Sequence, residues 1–566
     1  MIIDGILHPA AVLVLGGLVY PLLTVRLRQA ALLILPLAAL YLIWWMPNGA
    51  SAPVNFIGYE LTLIKADALS RLFAAVFAVM AFAGGLFALN RENAAELAAA
   101  LCYAGSAMGV VFAGDLITVF LWWETMAIAS TLIIWSGGQM ARGAGLRYAA
   151  IHLFGGVLLM AGIAGEIIAT GSNAFGPMTL NSLPRWLILG GFLLNAGAPP
   201  LSAWLPDSYP ESSWSGMVFL SAFTTKTAVY VLMRGFAGTE LLVYAGLFMV
   251  FYGIIYAILE NDMRRILAYS IVNQVGFMVV GIGIGTQMAL NGAAAHAFAH
   301  ILYKALLLMS AGSVLYMTGK RKCSDLGGLF RTMPLTTICG IIGALSISSF
   351  PLTSGFVSKS MISEAAAIQH LQWTWLLLAA ASAGVFLHAG IKFPWFVFFQ
   401  KDSGLRPSDP PWNMRAAMIF MSALCLGIGI VPGALYAMLP FPVDYVPYTA
   451  GHVVSQLQLL LFSGLAFFVM LGWLARTMTV TLDADWFYRR LGRRLAARLD
   501  NAAAALWANV AGLAEMSARL LSGWVRALHG PNAAFARTWT TGVMTFWVII
   551  MLAAYLALTY LGSRIS

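Results

Sequence analysis

The sequence is poor in charged residues and in cysteine. Charged side chains make up 10% of the 566 residues and hydrophobic ones 61%, whereas a typical soluble domain carries about 25% charged residues. This balance excludes an ordinary soluble globule. The cysteines stand singly, so the spacing of a zinc site, an iron–sulfur cluster or a c-type haem is absent, as are the glycine-rich nucleotide motifs. The sequence therefore predicts no metal and no cofactor. The four cysteines are Cys102, Cys323, Cys339 and Cys425.

The segments without charged residues are long and apolar. Runs of about 17–25 apolar residues recur along the chain, each long enough to cross about 30 Å of hydrocarbon. Because a backbone in lipid must satisfy its own hydrogen bonds, these runs predict helices. The predicted fold is an all-α integral membrane protein with about 15–16 transmembrane helices. They cover residues 6–23, 31–46, 69–90, 97–113, 115–135, 148–170, 186–204, 215–236, 242–258, 265–285, 293–317, 334–350, 361–396 (broken), 415–438, 455–476 and 541–563.

The net charge of +10 is divided unevenly between the two predicted membrane faces. Basic residues cluster in the connections that follow odd-numbered helices, and these connections share one face. The positive-inside rule then predicts that this face is cytoplasmic, with the N-terminus outside and the chain in the plasma (inner) membrane. The charge is explained by topology and contact with lipid, so nucleic acid is not predicted as a partner. The basic residues concerned are Arg26, Arg28, Arg142, Arg147, Arg264, Arg265, Lys320, Arg321, Lys322, Arg331, Lys401, Arg406 and Arg415.

Two predicted helices are interrupted. Pro199 and Pro200 fall within LLNAGAPPLSAWLPDSYPESS, and Pro351 falls within SISSFPLTSGFVSKSMISEAA. Interrupted helices at corresponding positions of two halves are typical of the ion path of a transporter. The alternative is that the prolines only kink packed helices.

The segment 477–540 differs from the rest of the chain. Apolar residues recur there at helical spacing beside a cluster of arginines, which predicts an amphipathic helix in the membrane interface, on the cytoplasmic face. Gly492 and Gly512 predict bends in it. The alternative is a tail with a solvated basic face. A last apolar helix is predicted over 541–563.

Six titratable side chains fall within predicted transmembrane helices. An ionisable group at this depth costs about 2.5–3.5 kcal/mol on insertion scales, so such groups line ion paths or pair with one another. Buried lysine and histidine can bind and release a proton, and the spacing of four residues places three of the six on one helical face. Together they predict movement of protons or cations through the bilayer. The six are Glu124, Lys226, His296, His300, Lys304 and Lys359.

Each of these residues also has a structural interpretation. In this interpretation Glu124 and Lys226 are each one member of an ion pair that only stabilises the fold. A histidine on an apolar helix is commonly a core residue whose ring nitrogens are hydrogen-bonded. Lys359 is consistent with a lysine that reaches the membrane surface. Lys392 lies closer to a helix end, where a lysine more typically extends to the membrane surface. It is only a possible auxiliary residue of the proton path.

Five ordered motifs resemble a known family. They are GDLITVFLWWETMAIAS, AWLPDSYPESS with TTKTAVYVLMR, ENDMRRILAYSIVNQVGFMVVGIG, HAFAHILYKALLLMSAGSV and SFPLTSGFVSK. Together they are similar to the antiporter-like membrane subunits shared by Mrp-type multisubunit Na+/H+ antiporters, respiratory complex I and membrane-bound hydrogenases. The TTKTAVY stretch most resembles the D-type subunit of the Mrp systems.

The resemblance implies a 14-helix core with two inverted five-helix repeats that contain broken helices. Each repeat would form a half-channel, and an interfacial helix and a final span would follow the core. The implied divisions are N-terminal helices 1–96, a first repeat 97–236, a second repeat 242–396, C-terminal helices 413–476, the interfacial segment 477–540 and the last helix 541–563.

The resemblance also implies roles for the titratable residues. Glu124 would modulate the first half-channel, and Lys226 would link the two halves. The histidines and Lys304 would form the relay of the second half-channel, and Lys359 its terminal lysine.

One position departs from the family pattern. Asn195 stands where the family has a lysine that partners the carboxylate of Glu124, and asparagine cannot carry charge. Glu124 then either pairs elsewhere, for example with Lys226, or is protonated at rest. We therefore expect a first half-channel that is altered or idle and a second one that is complete, and we expect Asn195→Lys to change transport.

Three functions are consistent with these features. The favoured one is a subunit that moves protons and monovalent cations in a multisubunit Na+(K+)/H+ antiporter, with other membrane subunits as partners. The second is a proton-pumping subunit of an NADH dehydrogenase-like or hydrogenase redox complex. The third is a non-transporting or proton-conducting membrane partner of a soluble enzyme. A stand-alone membrane enzyme is the least expected.

Overall fold

The computed structural model is nearly all helical and divides into two compact units, Met1–Asp485 and Trp486–Ser566. The predicted segments 1–96, 413–476, 477–540 and 541–563 each lie partly outside the described residues. The structure describes residues 2–3, 6–49, 51–56, 58–473, 483–531, 533, 535 and 538–562.

The first unit begins with three apolar helices and two hairpins that the sequence analysis did not predict. In the longer hairpin, Phe56 pairs with Tyr59 and Val54 with Leu61, and Gly58 provides the positive φ of +80° that the turn requires. The pattern was missed because both strands are short and half exposed. The elements are β1 (Ile2–Ile3), β2 (Ile6–Leu7), α1 (Pro9–Val19), α2 (Val25–Trp45), β3 (Ser51–Phe56), β4 (Tyr59–Lys65) and α3 (Ala68–Phe87).

The middle of the chain contains two successive series of helices, and each series includes a long helix and a broken one. The first series is α4 (Ala94–Phe112), α5 (Leu116–Trp135), α6 (Gln139–Thr170), α7 (Leu183–Ala196), α8 (Trp204–Ser208), α9 (Gly216–Leu220) and α10 (Thr224–Gly235). The second is α11 (Leu241–Leu259), α12 (Met263–Ile284), α13 (Gln287–Thr318), α14 (Pro334–Ile347), α15 (Ser354–Ile368) and α16 (Gln372–Val385), which continues with π-helical geometry over Phe386–Lys392 and Trp395–Phe399.

The first four helices of the two series correspond in order. The helices α4 and α11 have 19 residues each, α6 and α13 have 32 each, and α7 and α14 have 14 each. Asp115 and Asp262 precede α5 and α12, and each caps its helix by accepting backbone N–H bonds. Each long helix ends before a left-handed glycine, Gly171 or Gly319.

The second interruption lies where the sequence places it, around Pro351. The gap covers residues 348–353, between α14 and α15. The predicted helix 361–396 is divided between the end of α15 and the helix that begins at Gln372, which is continuous to Phe399. In the gap, Ser349 and Leu352 adopt positive φ values of 58° and 68°, which a helix cannot accommodate. In the first series, α7 ends at Ala196 because Gly197 turns to φ +80°.

Five more helices follow α16 in the described part of the chain. Among the described residues, thirteen helices are long and apolar enough to span a membrane, and Pro9–Leu22 and Pro334–Ile347 are shorter apolar helices. These numbers are consistent with the expectation of about 15–16 transmembrane helices. In the second unit, α20 runs through Gly512 without interruption, and a bend at this glycine stays a prediction. The remaining elements are α17 (Trp412–Ile430), α18 (Gly433–Tyr436), α19 (Ala450–Val469), α20 (Arg493–His529) and α21 (Thr541–Gly562).

Basic residues from several connections meet at one end of the first unit. The guanidinium of Arg264 donates to the carbonyls of Pro210, Ser212 and Ser213 at 2.7–2.8 Å. Beside it, Arg321 pairs with Glu211 at 3.0 Å. Through these bonds the connections after α8, α11 and α13 lie together, as the charge pattern predicts.

Candidate functional site

The break before α15 brings Lys359 into the core of the first unit. Its side chain is buried, and its Nζ lies 5.1 Å from the ring centroid of Phe277 on α12, a cation–π contact. The ammonium has no hydrogen-bond partner among the described residues. A lysine held in this way is free to exchange its proton.

His296 on α13 lies at the centre of a hydrogen-bonded cluster. Its Nε2 is 3.0 Å from Gln274 Oε1, which also accepts a bond from the Tyr303 hydroxyl at 3.1 Å. Because this oxygen only accepts, Nε2 carries the hydrogen and Nδ1 is the nitrogen that can gain a proton. Nδ1 is 3.2 Å from the hydroxyl of Ser358, the residue before Lys359 in the chain. The cluster therefore extends from α13 to α15, where Lys359 is close enough to His296 for their charges to interact.

His300 and Lys304 continue along the same face of α13. Both are fully buried, and the ring of His300 contacts that of Tyr303 edge-on at 5.2 Å. Neither nitrogen of His300 bonds another described residue. The ammonium of Lys304 donates to Ser270 Oγ at 2.9 Å.

Lys226 lies where the two series of helices meet. The helix is interrupted between α9 and α10, so the carbonyl of Ser221 is available and accepts a bond from Lys226 Nζ at 2.5 Å. Thr225 Oγ1 is 3.1 Å from the same nitrogen. Lys226 is also close enough to His300 and Lys304 for their charges to interact. It thus lies beside the buried His300 and Lys304 of α13.

Glu124 and Asn195 lie in the first series and are not joined to this cluster. Glu124 is half-buried, and its Oε1 has no hydrogen-bond partner among the described residues. Its suggested pairing with Lys226 is wrong, since that ammonium is bound by Ser221 and Thr225 instead. Asn195 is fully buried, and its amide oxygen and nitrogen also lack partners within the described part of the chain.

A wide cavity leads from Lys359 to the end of the bundle opposite the basic residues. Its volume is about 710 Å3, and its lining includes Glu364, Asp444 and His452. A second cavity of about 390 Å3 shares Glu364 and Asp444 with it and reaches Asn291, near the start of α13. We refer to the two together as the acidic vestibule.

Lys392 has a different environment. Its ammonium donates to the backbone carbonyls of Ala257 and Glu260, at the end of α11, at 3.0 and 2.5 Å. These are carbonyls that the helix itself leaves unpaired, so the contact fastens α11 to the π-helical segment. An auxiliary part in a relay stays a prediction.

Sequence reasoning missed the neutral members of the cluster. Gln274, Ser358 and Ser270 carry no charge, so the search for ionisable groups passed over them. Tyr303 was detectable, because it lies seven residues after His296 on the same helical face.

A family model matches the part of the chain that holds this site. Residues 113–387 match the model described as NADH:quinone oxidoreductase/Mrp antiporter, TM. These residues carry the membrane domain of this family. The resemblance seen in the sequence motifs is confirmed.

The curated relatives include antiporter subunits and subunits of quinone oxidoreductases. The chain is 30% identical over 425 residues to the probable K(+)/H(+) antiporter A/B subunit of Rhizobium meliloti (strain 1021), covering 69% of this chain and 41% of the relative. It is 33% identical over 272 residues to the D-type Na(+)/H(+) antiporter subunit of Alkalihalophilus pseudofirmus, covering 44% and 55%. The chain thus spans about half the length of these relatives.

The fold extends over almost the whole chain. A chain in the membrane-bound sulfane sulfur reductase, an archaeal respiratory membrane complex, superposes with a TM-score of 0.71 over 97% of this chain and 99% of that one. Sequence identity is 24%, so this match concerns the fold.

Proposed function

We propose that this chain is a proton- and cation-translocating membrane subunit of a multisubunit Na+(K+)/H+ antiporter. The observation that carries the proposal is the buried polar cluster around His296, which links the interior of α13 to Lys359 and the acidic vestibule. The class of transport, exchange of Na+ or K+ for protons, is inferred from the names of the related antiporter subunits.

The cluster can pass a proton in steps. A proton on Lys304 or His300 reaches His296 along one face of α13, and Nδ1 of His296 takes it up while Nε2 keeps its bond to Gln274. Ser358 stands between Nδ1 and the next lysine of the relay. From Lys359 the proton enters the vestibule. Lys226 is the group through which the first series would deliver protons to this relay.

The vestibule suits the exchange of a cation against the proton. Its two carboxylates, Glu364 and Asp444, attract monovalent cations to the mouth. A charged Lys359 repels them, so release of its proton would favour cation entry. Proton and cation then alternate at one site.

The two matched series support a further part of the proposal. We take 97–236 and 242–396 as two inverted repeats, each with a broken helix that holds one half of the path. The basic end of the first unit would face the cytoplasm, the vestibule the outside, and residues 477–540 the cytoplasmic face of the inner membrane.

The test is transport by the assembled complex. The tagged chain is purified with its partners from native membranes and reconstituted in vesicles with an imposed pH gradient, and proton flux is followed after Na+ or K+ is added. We expect Lys359→Ala to abolish cation-driven flux, whereas Lys320→Ala, at an exposed lysine after α13, keeps it. Equal flux in both variants would contradict the proposal. Recovery of iron–sulfur or quinone-binding partners with no cation-driven flux would assign the same relay to a redox-driven pump.

A further inference from the structure

The first series contains a buried histidine that the relay does not use. Counted from the first residue of each 32-residue helix, His152 of α6 corresponds to His300 of α13, and Gly156 corresponds to Lys304. The long helix of the first series thus keeps a histidine in the middle of the membrane and lacks the lysine one turn further on.

His152 lies in an enclosed polar site. Its ring centroid is 4.0 Å from that of Tyr148 and 4.7 Å from that of Trp204. Neither ring nitrogen bonds another described residue, and the neighbouring Asn195 has an unpartnered amide as well. A buried polar atom without a partner costs about 1–3 kcal/mol. Two such groups side by side are therefore a costly arrangement, and of the two only the imidazole of His152 can take up a proton.

The missing side chain at position 156 makes room for Glu124. A Cβ built on Gly156 would overlap Glu124 Oε1, so the carboxylate occupies the space beside this glycine. Gly156 is one helical turn from His152. In the first series the carboxylate therefore lies against α6 one helical turn from His152, at the position where α13 carries Lys304.

Hydroxyl groups continue from His152 towards the centre of the bundle. The Tyr148 hydroxyl, on the stacked neighbour of the histidine, is 2.9 Å from Ser130 Oγ. The ring of Tyr209 lies 6.2 Å from that of Tyr148. Further inward, Tyr103 bonds Thr224 Oγ1 at 2.6 Å. Thr224 precedes Thr225, whose hydroxyl contacts Lys226.

The charged groups around His152 are few. α5 contributes Glu124, and α8 contributes Asp207, which is held by Arg147 of α6 in a bidentate pair at 2.7 and 2.9 Å. Glu166, on the same helix but far along it, pairs with Arg185 of α7 at 2.9 Å. Glu124 is therefore the carboxylate without an ion pair among these groups.

We propose that His152 is the proton-binding residue of the first half-channel. Asn195 lies beside its ring, and the carboxylate of Glu124 stabilises the imidazolium. A proton passes from Glu124 to a ring nitrogen of His152 and leaves towards Lys226, so this half conducts even though Asn195 has replaced a lysine. The inference rests on the function proposed above, because it assigns a step of the same transport.

The test compares His152→Gln with wild type and Lys359→Ala in the same vesicles. We expect His152→Gln to lower cation-driven proton flux about tenfold or more, since it removes a proton-transferring group, while the partner subunits still co-purify. We expect Asn195→Lys combined with His152→Gln to recover most of the flux, because a lysine on α7 restores a proton carrier beside Glu124. Normal flux in assembled His152→Gln, together with loss in Lys359→Ala, would overturn this inference alone. No flux in wild type would instead refute the proposed function.

A second pair of variants leaves the histidine in place. Gly156→Ala puts a methyl group against Glu124 and should lower the flux by displacing the carboxylate. Gly155→Ala is the matched control, because its Cβ would meet only the side-chain methyl groups of Leu194, at 3.1 and 3.3 Å. If His152→Gln fails to assemble, equal flux in the two alanine variants would overturn the inference.

Discussion

Neutral polar residues set the chemistry of the titratable ones in this protein. Gln274 shows this most directly, because one oxygen accepts bonds from both His296 and Tyr303. The bond fixes which ring nitrogen carries hydrogen and leaves the other facing Ser358. A single uncharged side chain thus decides the direction in which the histidine can pass a proton.

We expect Gln274→Met to lower transport more than Tyr303→Phe. The methionine removes the acceptor of two bonds and leaves a buried hydroxyl unpaired, which costs about 1–3 kcal/mol, whereas the phenylalanine removes one donor and leaves the histidine bonded. The measurement is cation-driven flux together with the thermal unfolding midpoint of the purified complex. Gln29→Met, at an exposed glutamine, is the control. A larger loss in Tyr303→Phe would contradict this order of effects.

At the scale of elements, contacts from neighbouring helices fix the short helix that follows the first break. α8 follows the first break, and its Asp207 is bound on both oxygens by Arg147 of α6. Arg264, at the start of α12, holds the backbone just beyond it. A short helix of five residues has little stability of its own, so these bonds fix its position.

We expect Asp207→Asn to destabilise the complex by about 1–3 kcal/mol. The side chain of Asp207 is 1% exposed and that of Arg147 is 30% exposed. The loss of free energy of unfolding should therefore be smaller than for a fully buried ion pair and larger than for a surface ion pair. Arg147→Ala should cost a similar amount, and the double variant little more. The measurement is the thermal unfolding midpoint, with Glu515→Gln in the exposed pair on α20 as control. If the stability losses of the two single variants add up in the double variant, the Asp207–Arg147 ion pair is excluded as the cause of these losses.

The sequence predicted these elements unequally. Hydropathy identified the helices, because length and apolarity act locally, and the search for ionisable residues found Lys226, His296, His300, Lys304 and Lys359, which are all buried. The gap between α14 and α15 was expected from Pro351, whereas its exact bounds depend on the positive φ values of Ser349 and Leu352. His152 was passed over because a lone histidine on an apolar helix gives no signal until tertiary packing places Asn195 beside it and Glu124 one helical turn away.

At the scale of the whole first unit, charge separates the two ends of the bundle. The carboxylates of the acidic vestibule lie near Asn291, which bonds the carbonyl of Phe441 after α18. The β3–β4 hairpin shares that end, since Thr62 N–H donates to Asp115 at the start of α5. The basic residues around Arg264 lie at the other end. This asymmetry is what the positive-inside rule would produce.

The orientation follows as a testable prediction. A cysteine introduced at Asn55, exposed in β3, should react in intact cells with a maleimide that cannot cross the membrane. One at Ser408, exposed in the connection before α17, should react only after the cells are opened. The chain with its native cysteines, of which Cys102 is half-buried and the others buried, gives the background. Because crossings alternate, one reversed result would change the number of crossings between the two sites, whereas reversal of both would turn the whole bundle over and place the acidic vestibule in the cytoplasm.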